Sequence, residues 1–581
     1  MEKLLSGIGV SQGIAIGPAH LIQEKALIVK PRTIPGKEIP VELKRFEKAI
    51  ERTAAAIQKI QRRADKVTPS HQAEIFDVHL SLLQDPMLVD RTRELISSQR
   101  INSDYALLQA LQEYQKLFNQ LGDETLQDRL ADVKDVGKRL IEFIQGRKRI
   151  NPFKFKSPAI LLAHNLTPSD AIHLDRINVL GVVTEMGGIG SHTAILTRAQ
   201  GIPAAVGVRQ LLASCTDDET IIVNGNSGEV ILRPKQKTVH FYSRKQQAIV
   251  RFEDSLRELV DLPAETSDGK RIQLHCNIEM PDEVEDVKRV GSDGIGLFRT
   301  EYLFLSNNKL PGEMAQAAEY IKAAEALKPL PVTFRTFDLG GDKLPHELAA
   351  EREDNPFLGY RAIRVSLDKP RLFKAQLHAI LRASSSMNVR LMFPMISTLQ
   401  ELLDARKLLE EAKSDLRKDK IPFDRKIPVG MMVETPAAVM ISEALARHVD
   451  FFSIGTNDLT QYALAADRGN QYVSHIYHQM DPSVLRLIAI TVKNGHAAGI
   501  PVGLCGNLAS NPLATIILLG MEIDELSMSP SILPEIKKIV RSLAWRGIRT
   551  LSRQVLQLNS HAEVLAFAQH ALQQRVEEIP Y

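Results

Sequence analysis

Residues 429–458 read VGMMVETPAAVMISEALARHVDFFSIGTND, and their pattern decides the fold. Two short apolar runs, Val429-Gly-Met-Met-Val and Phe451-Phe-Ser-Ile-Gly, end on polar residues, Glu434 and Asn457-Asp458, with a helix-compatible segment between them. A short apolar run bounded by polar or turn residues suits a buried parallel strand. The same unit recurs on either side: Gly294-Ile-Gly-Leu-Phe, Val332-Thr-Phe and Val389-Arg-Leu-Met-Phe-Pro-Met before it, Val502-Gly-Leu after it. Strand and helix alternate over about 300 residues from near Ile272, which predicts an α/β architecture ending in a (β/α)8 TIM barrel; a doubly wound sheet is the alternative.

A barrel of this kind carries its chemistry at the C-terminal ends of its strands. Those ends hold Arg299, Arg335, Glu434, Asn457-Asp458 and Cys505, with Arg361, Arg364 and Arg468 nearby in sequence. Guanidiniums capture phosphate and carboxylate groups bidentately. Two hard carboxylates, Glu434 and Asp458, suit Mg2+. A thiol at a strand end is a candidate proton donor or nucleophile. Each residue alone has an ordinary reading, as ion-pair partner, helix cap or small core residue. Several strand ends carrying these types together describe one site for an anionic ligand.

The N-terminal half has a different texture. Residues 1–22 read as short strands and turns, including Ile8-Gly-Val and Ile14-Ala-Ile. From about Val41, Leu43, Phe46, Ile50, Ala54, Ile57, Ile60, Ala64 and Val67 recur at helical spacing, and helical patterns continue to Gly146 with breaks at Asp85-Pro86 and Asn102-Ser103. After Pro158, Ala159-Ile-Leu-Leu-Ala, Val179-Leu-Gly-Val-Val and Ile221-Ile-Val restore the strand pattern. The helical bundle therefore reads as an insertion into an α/β unit that starts at residue 1. Residues 234–262 are charged and helix-compatible, a connector to the barrel.

Composition narrows the function. With 44% apolar and 25% charged residues the chain is globular. A net charge of +3 and 5% aromatics exclude a nucleic-acid coat and a base-stacking platform. Cys215, Cys276 and Cys505 are too scattered for a disulfide framework or metal knuckle, which points to a reducing compartment. No apolar run reaches the ~18 residues of a membrane helix, and the start lacks a signal-peptide profile. A cytoplasmic enzyme, without nucleic acid or membrane partners, is expected.

One motif lies outside the barrel. Residues 184–198, TEMGGIGSHTAILTR, pass from a buried strand through a Gly-rich turn into a helix that starts near His192. Free N–H groups and the helix dipole stabilise a phosphate there, and a neutral imidazole is a nucleophile near pH 7. GGIGSHTAILTRAQGIPAAVG resembles the phosphohistidine motif of enzymes that use phosphoenolpyruvate, among them enzyme I of the sugar phosphotransferase system, pyruvate phosphate dikinase and phosphoenolpyruvate synthase. GLFRTEYLF, FRTFDLGGDK, NPFLGYRAIR, MMVETPAA, SIGTNDLTQY and GLCGN resemble enzyme I in the same order, as do GIGVSQGIAIGPA and RLADVKDVGKRL. The dikinase and the synthase need a large nucleotide-binding domain, for which this chain has no room. Gly190, preceded by Ile189, departs from the Thr or similar residue usual before the motif's Ser.

The resemblance implies a division of labour. Residues 1–22 plus 147–233 would form a swivelling phosphohistidine domain, and 23–146 an inserted helical domain that docks the phosphocarrier protein HPr. Residues 234–262 would be the linker, and 263–581 the phosphoenolpyruvate-binding and dimerisation barrel. His192 would take the phosphoryl group, and Arg299, Arg335, Asn457, Asp458 and Arg468 would grip the substrate. Glu434 and Asp458 would hold Mg2+, and Cys505 would protonate the enolate to pyruvate. The face around Glu74, Phe76 and His79 is a candidate for carrier contact. Two alternatives share parts of this pattern: a relay of the nitrogen-regulatory branch with its own carrier, and a Mg2+-dependent barrel lyase, which would not need the His192 turn.

Overall fold

The computed structural model describes residues 2–22, 29–64, 74–121, 124–146, 157–166, 174, 177–188, 191–305, 310–340, 353–470 and 472–576. The chain divides into two compact units, Met1–Val250 and Arg251–Tyr581.

The first unit contains strands β1 (Lys3–Ser6), β2 (Ile8–Ser11), β3 (Ile14–Ile22), β4 (Ala159–Ala163), β5 (Val179–Thr184), β6 (Ala204–Val206), β7 (Thr220–Asn224) and β8 (Glu229–Leu232). They form one sheet in the order β1-β8-β7-β3-β4-β5-β6-β2. β3 to β6 are successive parallel neighbours, and the remaining pairings are antiparallel. Ile160 and Leu162 enter one core with Val183, Ile221 and Val223, whereas Leu161 and Ala163 enter another with Val182, Ala194 and Ile202. Every residue of β4 is buried, which is why it reads as a continuous apolar run.

Helices Ile39–Ala64, Glu74–Leu82, Pro86–Gln99, Ser103–Leu121 and Glu124–Ile144 lie between β3 and β4 in the chain, yet β3 and β4 pair directly, Ile22 with Ala163. The insertion has its own core of Phe46, Ile57, Leu88, Ile96, Leu107, Val136 and Leu140. The expected break at Asp85-Pro86 is a helix start, with Asp85 accepting the Met87 N–H and Pro86 in the first turn. Val67 lies outside the described residues. The expectation for His79 is corrected: it is fully buried, not on an exposed docking face, and its Nε2 lies 3.1 Å from Asp132 Oδ1. The helix Glu74–Leu82 turns His79 inward against the helix Glu124–Ile144; the side chains of Glu74 and Phe76 lie outside the described residues. The expected connector contains the helix Gln236–Arg257, whose Val239, Tyr242 and Ile249 pack with Ile14, Ile222 and Ile231.

The second unit holds β9 (Gln273–Ile278), β10 (Ile295–Arg299), β11 (Val332–Arg335), β12 (Val389–Phe393), β13 (Val429–Val433), β14 (Phe451–Ile454), β15 (Val502–Leu504) and β16 (Glu525–Met528). All eight run parallel in a closed barrel. Closure through β16 and β9, from Glu525↔Gln273 to Met528↔Cys276, excludes the doubly wound alternative.

β16 begins on a charge because Glu525 reaches into the barrel. Its Oε1 lies 2.8 Å from His275 Nδ1 and its Oε2 accepts from Arg390 Nη1 at 3.1 Å. Gly296 makes the room, since a Cβ there would stand 2.6 Å from Glu525 Oε1. Burial alone would raise the Glu525 pKa, but His275 and Arg390 outweigh it and hold the group at about 2. The unfolded carboxylate titrates near 4.5. The stabilisation from Glu525 is therefore present above about pH 4.5 and lost as pH falls toward 2. Urea midpoints measured across that window should fall less steeply in Glu525→Gln than in the parent; parallel slopes would refute the assignment.

Candidate active site

The barrel geometry converts short strands into a ring of side chains. Arg299 and Arg335 are the last residues of β10 and β11 and are register partners. Glu434 directly follows β13, Asp458 lies in the first turn of the helix Thr456–Leu464 after β14, and Cys505 directly follows β15.

Two of these residues, Arg335 and Asp458, join an ionic assembly with Arg361, which the sequence places near the strand ends, and with Glu301 and Asp338, to which the strand-end reading gave no role. Arg335 Nη2 donates to Glu301 Oε1 at 3.1 Å, and its Nη1 lies 2.8 Å from Asp338 Oδ2. Asp338 Oδ1 accepts from Arg361 Nη2 at 2.9 Å, and Arg361 Nη1 donates to Asp458 Oδ1 at 3.2 Å. Signs thus alternate along Glu301–Arg335–Asp338–Arg361–Asp458, and all five side chains are nearly buried. Arg299 is more open and pairs with Glu279 at 2.6 Å. Glu434 is buried, its Oε1 accepting the Met395 N–H at 2.6 Å and its Oε2 set against Gly455. Glu301 and Asp338 trail Arg299 and Arg335 by two and three residues, a spacing that could have flagged them.

Burial opposes every charge here, so the partners decide each protonation state. Burial would lower the Arg335 pKa, but Glu301 and Asp338 raise it above the usual guanidinium value. Burial would raise Asp338, but Arg335 and Arg361 hold it below the carboxylate range. For Glu434 the arginines are outweighed: burial first, then the Asp458 and Asp338 carboxylates, push it up to about 8 against Arg335 and Arg361. Burial also pushes the Cys505 thiol up to about 11, despite the nearby Ser453, Arg335 and Arg299, so it is protonated at neutral pH.

Asn457 is oriented by its neighbours. Its Oδ1 accepts from Gln479 Nε2 at 2.9 Å and from the Asn507 main-chain N–H at 3.0 Å, which fixes Nδ2 as the donor side. The Tyr477 hydroxyl donates to the Asn457 carbonyl at 3.0 Å. Arg468 stands apart from the ionic assembly, solvent-exposed and beside the Tyr477 hydroxyl. Two residues with left-handed φ adjoin the site, Ala362 at +52° beside Arg361 and Met395 at +54° on Glu434. Such strain persists where surrounding structure fixes the backbone.

The donor set fits a divalent cation. Among the described residues no group of three metal-binding side chains occurs, but Mg2+ needs only one or two carboxylates. Glu279, Glu301, Asp338, Glu434 and Asp458 outnumber Arg299, Arg335 and Arg361, an excess of carboxylates that a cation offsets.

In the other unit, His192 is the first residue of the helix His192–Ala199, with Ser191 as its cap and the Ser191 Oγ accepting the Ala194 N–H at 3.4 Å. Gly187 enters the preceding turn at φ +113°, where a side chain would be strained. Arg198 Nε donates to the Val10 carbonyl at 3.0 Å and ties the helix to β2. Ile189, Gly190 and the His192 side chain lie outside the described residues.

Three family models match: PEP-utilising enzyme, N-terminal, at residues 6–129; PEP-utilising enzyme, mobile domain, at 155–228; and PEP-utilising enzyme, PEP-binding domain, at 253–545. The phosphoenolpyruvate-protein phosphotransferase of Buchnera aphidicola subsp. Baizongia pistaciae is 38% identical over 561 residues, covering 97% of each chain. That of Bacillus subtilis is 38% identical over 563 residues, covering 97% of this chain and 98% of its own. That of Haemophilus influenzae is 37% identical over 561 residues, covering 97% of this chain and 98% of its own. With similarity running through nearly the whole of both chains, on top of a charged parallel barrel and a histidine-headed helix, this chain belongs to the phosphoenolpyruvate-protein phosphotransferases of the PEP-utilising enzyme family.

Proposed function

We propose that the chain transfers the phosphoryl group of phosphoenolpyruvate to His192 and then to a histidine of the carrier HPr, releasing pyruvate. The observation that carries this reading is the barrel mouth, where register-paired Arg299 and Arg335 adjoin the buried carboxylates Glu434 and Asp458. Arg299, the more open guanidinium, and Arg335, locked by its carboxylates, hold the substrate's anionic groups, with Asn457 donating through Nδ2 and Arg468 reaching in from the rim. Glu434 and Asp458 would hold Mg2+, whose charge, when bound, offsets that of the substrate.

A ring nitrogen of His192 attacks phosphorus, the bond from phosphorus to the enol oxygen breaks, and its electron pair stays on that oxygen. The enolate carbon then takes the proton of the Cys505 thiol, forming C–H as S–H breaks. A thiol raised to about 11 keeps its proton until a strongly basic carbon is presented. Cys505→Ala should lower pyruvate-forming turnover about 10²–10⁴-fold while leaving phosphorylation of His192 in place; parent-like turnover would reject the role.

The deciding experiment incubates the protein with Mg2+ and phosphate-labelled phosphoenolpyruvate beside His192→Ala. An acid-labile, base-stable label on the parent alone, with pyruvate released, supports the reading, and no label on either folded protein refutes it. Transfer of that label to added HPr tests the second half-reaction. Two units that share one histidine must exchange its position, so residues 234–262 are the proposed swivel, with the barrel as the proposed homodimer contact. A disulfide engineered to lock the two units should block one half-reaction. Among the described residues no helix is long and apolar enough to cross a membrane.

A further inference from the structure

Cys505 lies one residue beyond β15, where ladder pairing has ended: the last pair with β16 is Leu504↔Leu526. Its main-chain N–H is still held, donating to the Ile454 carbonyl at 3.1 Å. Its carbonyl has passed the end of the ladder, and a side chain from two strands away supplies the partner. Asn277, on β9, donates Nδ2 to the Cys505 carbonyl at 3.0 Å and to the Ser527 carbonyl at 3.2 Å. The amide cannot turn over, because a flipped Oδ1 would face these two carbonyl oxygens; as it stands, Oδ1 accepts the Ser527 hydroxyl at 2.6 Å. Gly296 opens the space for this bridge, since a Cβ there would stand 2.6 Å from Ser527 Oγ. Both backbone groups of Cys505 are thereby fixed from opposite sides, and the direction of its side chain with them. The thiol lies 3.8 Å from the Ile454 carbonyl, beside Ser453, and packs with Leu297, Met392, Met432 and Phe451.

We infer that Asn277, locked by Ser527, is a positioning residue that aims the Cys505 thiol at the substrate carbon. The inference rests on the reading of Cys505 as the proton donor. Proton transfer to carbon needs donor and acceptor in line at close range, and a misplacement of about 1 Å slows such a step on the order of 10²-fold. Phosphorylation of His192 does not use the thiol and so separates this role from general support of the barrel.

Two rates decide the matter, measured on the full chain with Mg2+. One is the labelling of His192 by phosphoenolpyruvate. The other is deuterium entry into the pyruvate methyl group in D2O, followed by proton NMR, which reads transfer between carbon and thiol. Asn277→Leu, with the same branching of heavy atoms but without donors, should slow deuterium entry on the order of 10²-fold while labelling stays within about threefold of the parent. Ser527→Ala, which removes the hydroxyl held by Oδ1 and loosens the amide, should slow entry about tenfold, and it carries the test if Asn277→Leu does not fold. Parent-like entry in a folded variant, or an equal fall in both rates, overturns the inference. Cys505→Ala is run beside them. Parent-like entry in that variant overturns the reading of Cys505 and this inference with it, whereas parent-like entry in Asn277→Leu alone overturns only the positioning role.

Discussion

Asp338→Ala is expected to destabilise the barrel by about 3–5 kcal/mol, because it leaves two buried guanidiniums without their shared carboxylate. Arg335 and Arg361 both bond Asp338, and each side chain is 9% exposed. Neither can relax into water without opening the strand ends around it. A surface pair would contribute less than about 1 kcal/mol, so the size of the loss tests the burial as well as the pairing. The sign with pH follows from the depressed carboxyl. Stability supplied by Asp338 is present above its ordinary value of 3.8 and lost as pH falls below it. The chain's single tryptophan, Trp545, lies in the barrel unit, so its fluorescence during urea unfolding reports that unit separately from the other. A loss under about 1 kcal/mol would show that the two arginines find other partners.

Glu434→Gln is expected to move activity and metal-free stability in opposite directions. In chelator, the folded group titrates near 8 while the unfolded one titrates near 4.5. Between those values the unfolded chain sheds a proton that the folded protein keeps, so parental stability falls as pH rises. A glutamine keeps the acceptor for the Met395 N–H and has no charge to bury. The variant's Tm should therefore exceed the parent's at pH 8 in chelator and vary less with pH. Added Mg2+ should raise the Tm of the parent and leave the variant almost unmoved. Loss of a group that merely supports a metal ligand costs 10–100-fold, so loss of the ligand should lower turnover by more than about 10²-fold. A variant destabilised in chelator, or stabilised by Mg2+ as the parent is, would contradict the assignment.

What the sequence revealed and concealed follows from its local character. Arg299, Arg335, Glu434 and Cys505 were legible because each abuts an apolar strand, and parallel strands deliver their ends to one rim. Glu301 and Asp338 were harder, since they sit in irregular backbone where no periodicity gives a direction. Arg361 was legible as a cation near the strand ends, but only the barrel brings it between Asp338 and Asp458. β16 was hidden because Glu525 is a charge that points inward, against the usual pattern for a buried strand. His79 misled for the opposite reason: a histidine on an amphipathic helix suits either face, and Asp132, which draws it inside, is distant in sequence. β1 and β8 form an antiparallel edge whose short strands carry Ser6 and Glu229 among their apolar residues.

Because β3 and β4 are parallel neighbours, the chain leaving Ile22 must return to the far end of the strand beside it before it can resume at Ala159. In ordinary α/β proteins a single helix makes that trip. Here a bundle with a separate core makes it, so the sheet asks of that bundle only that its two ends be one strand length apart. A graft of any compact helical body meeting that span should leave the sheet and its histidine turn folded. The bundle and the sheet that carries the histidine turn can then diverge in sequence as separate modules, each held to its own core.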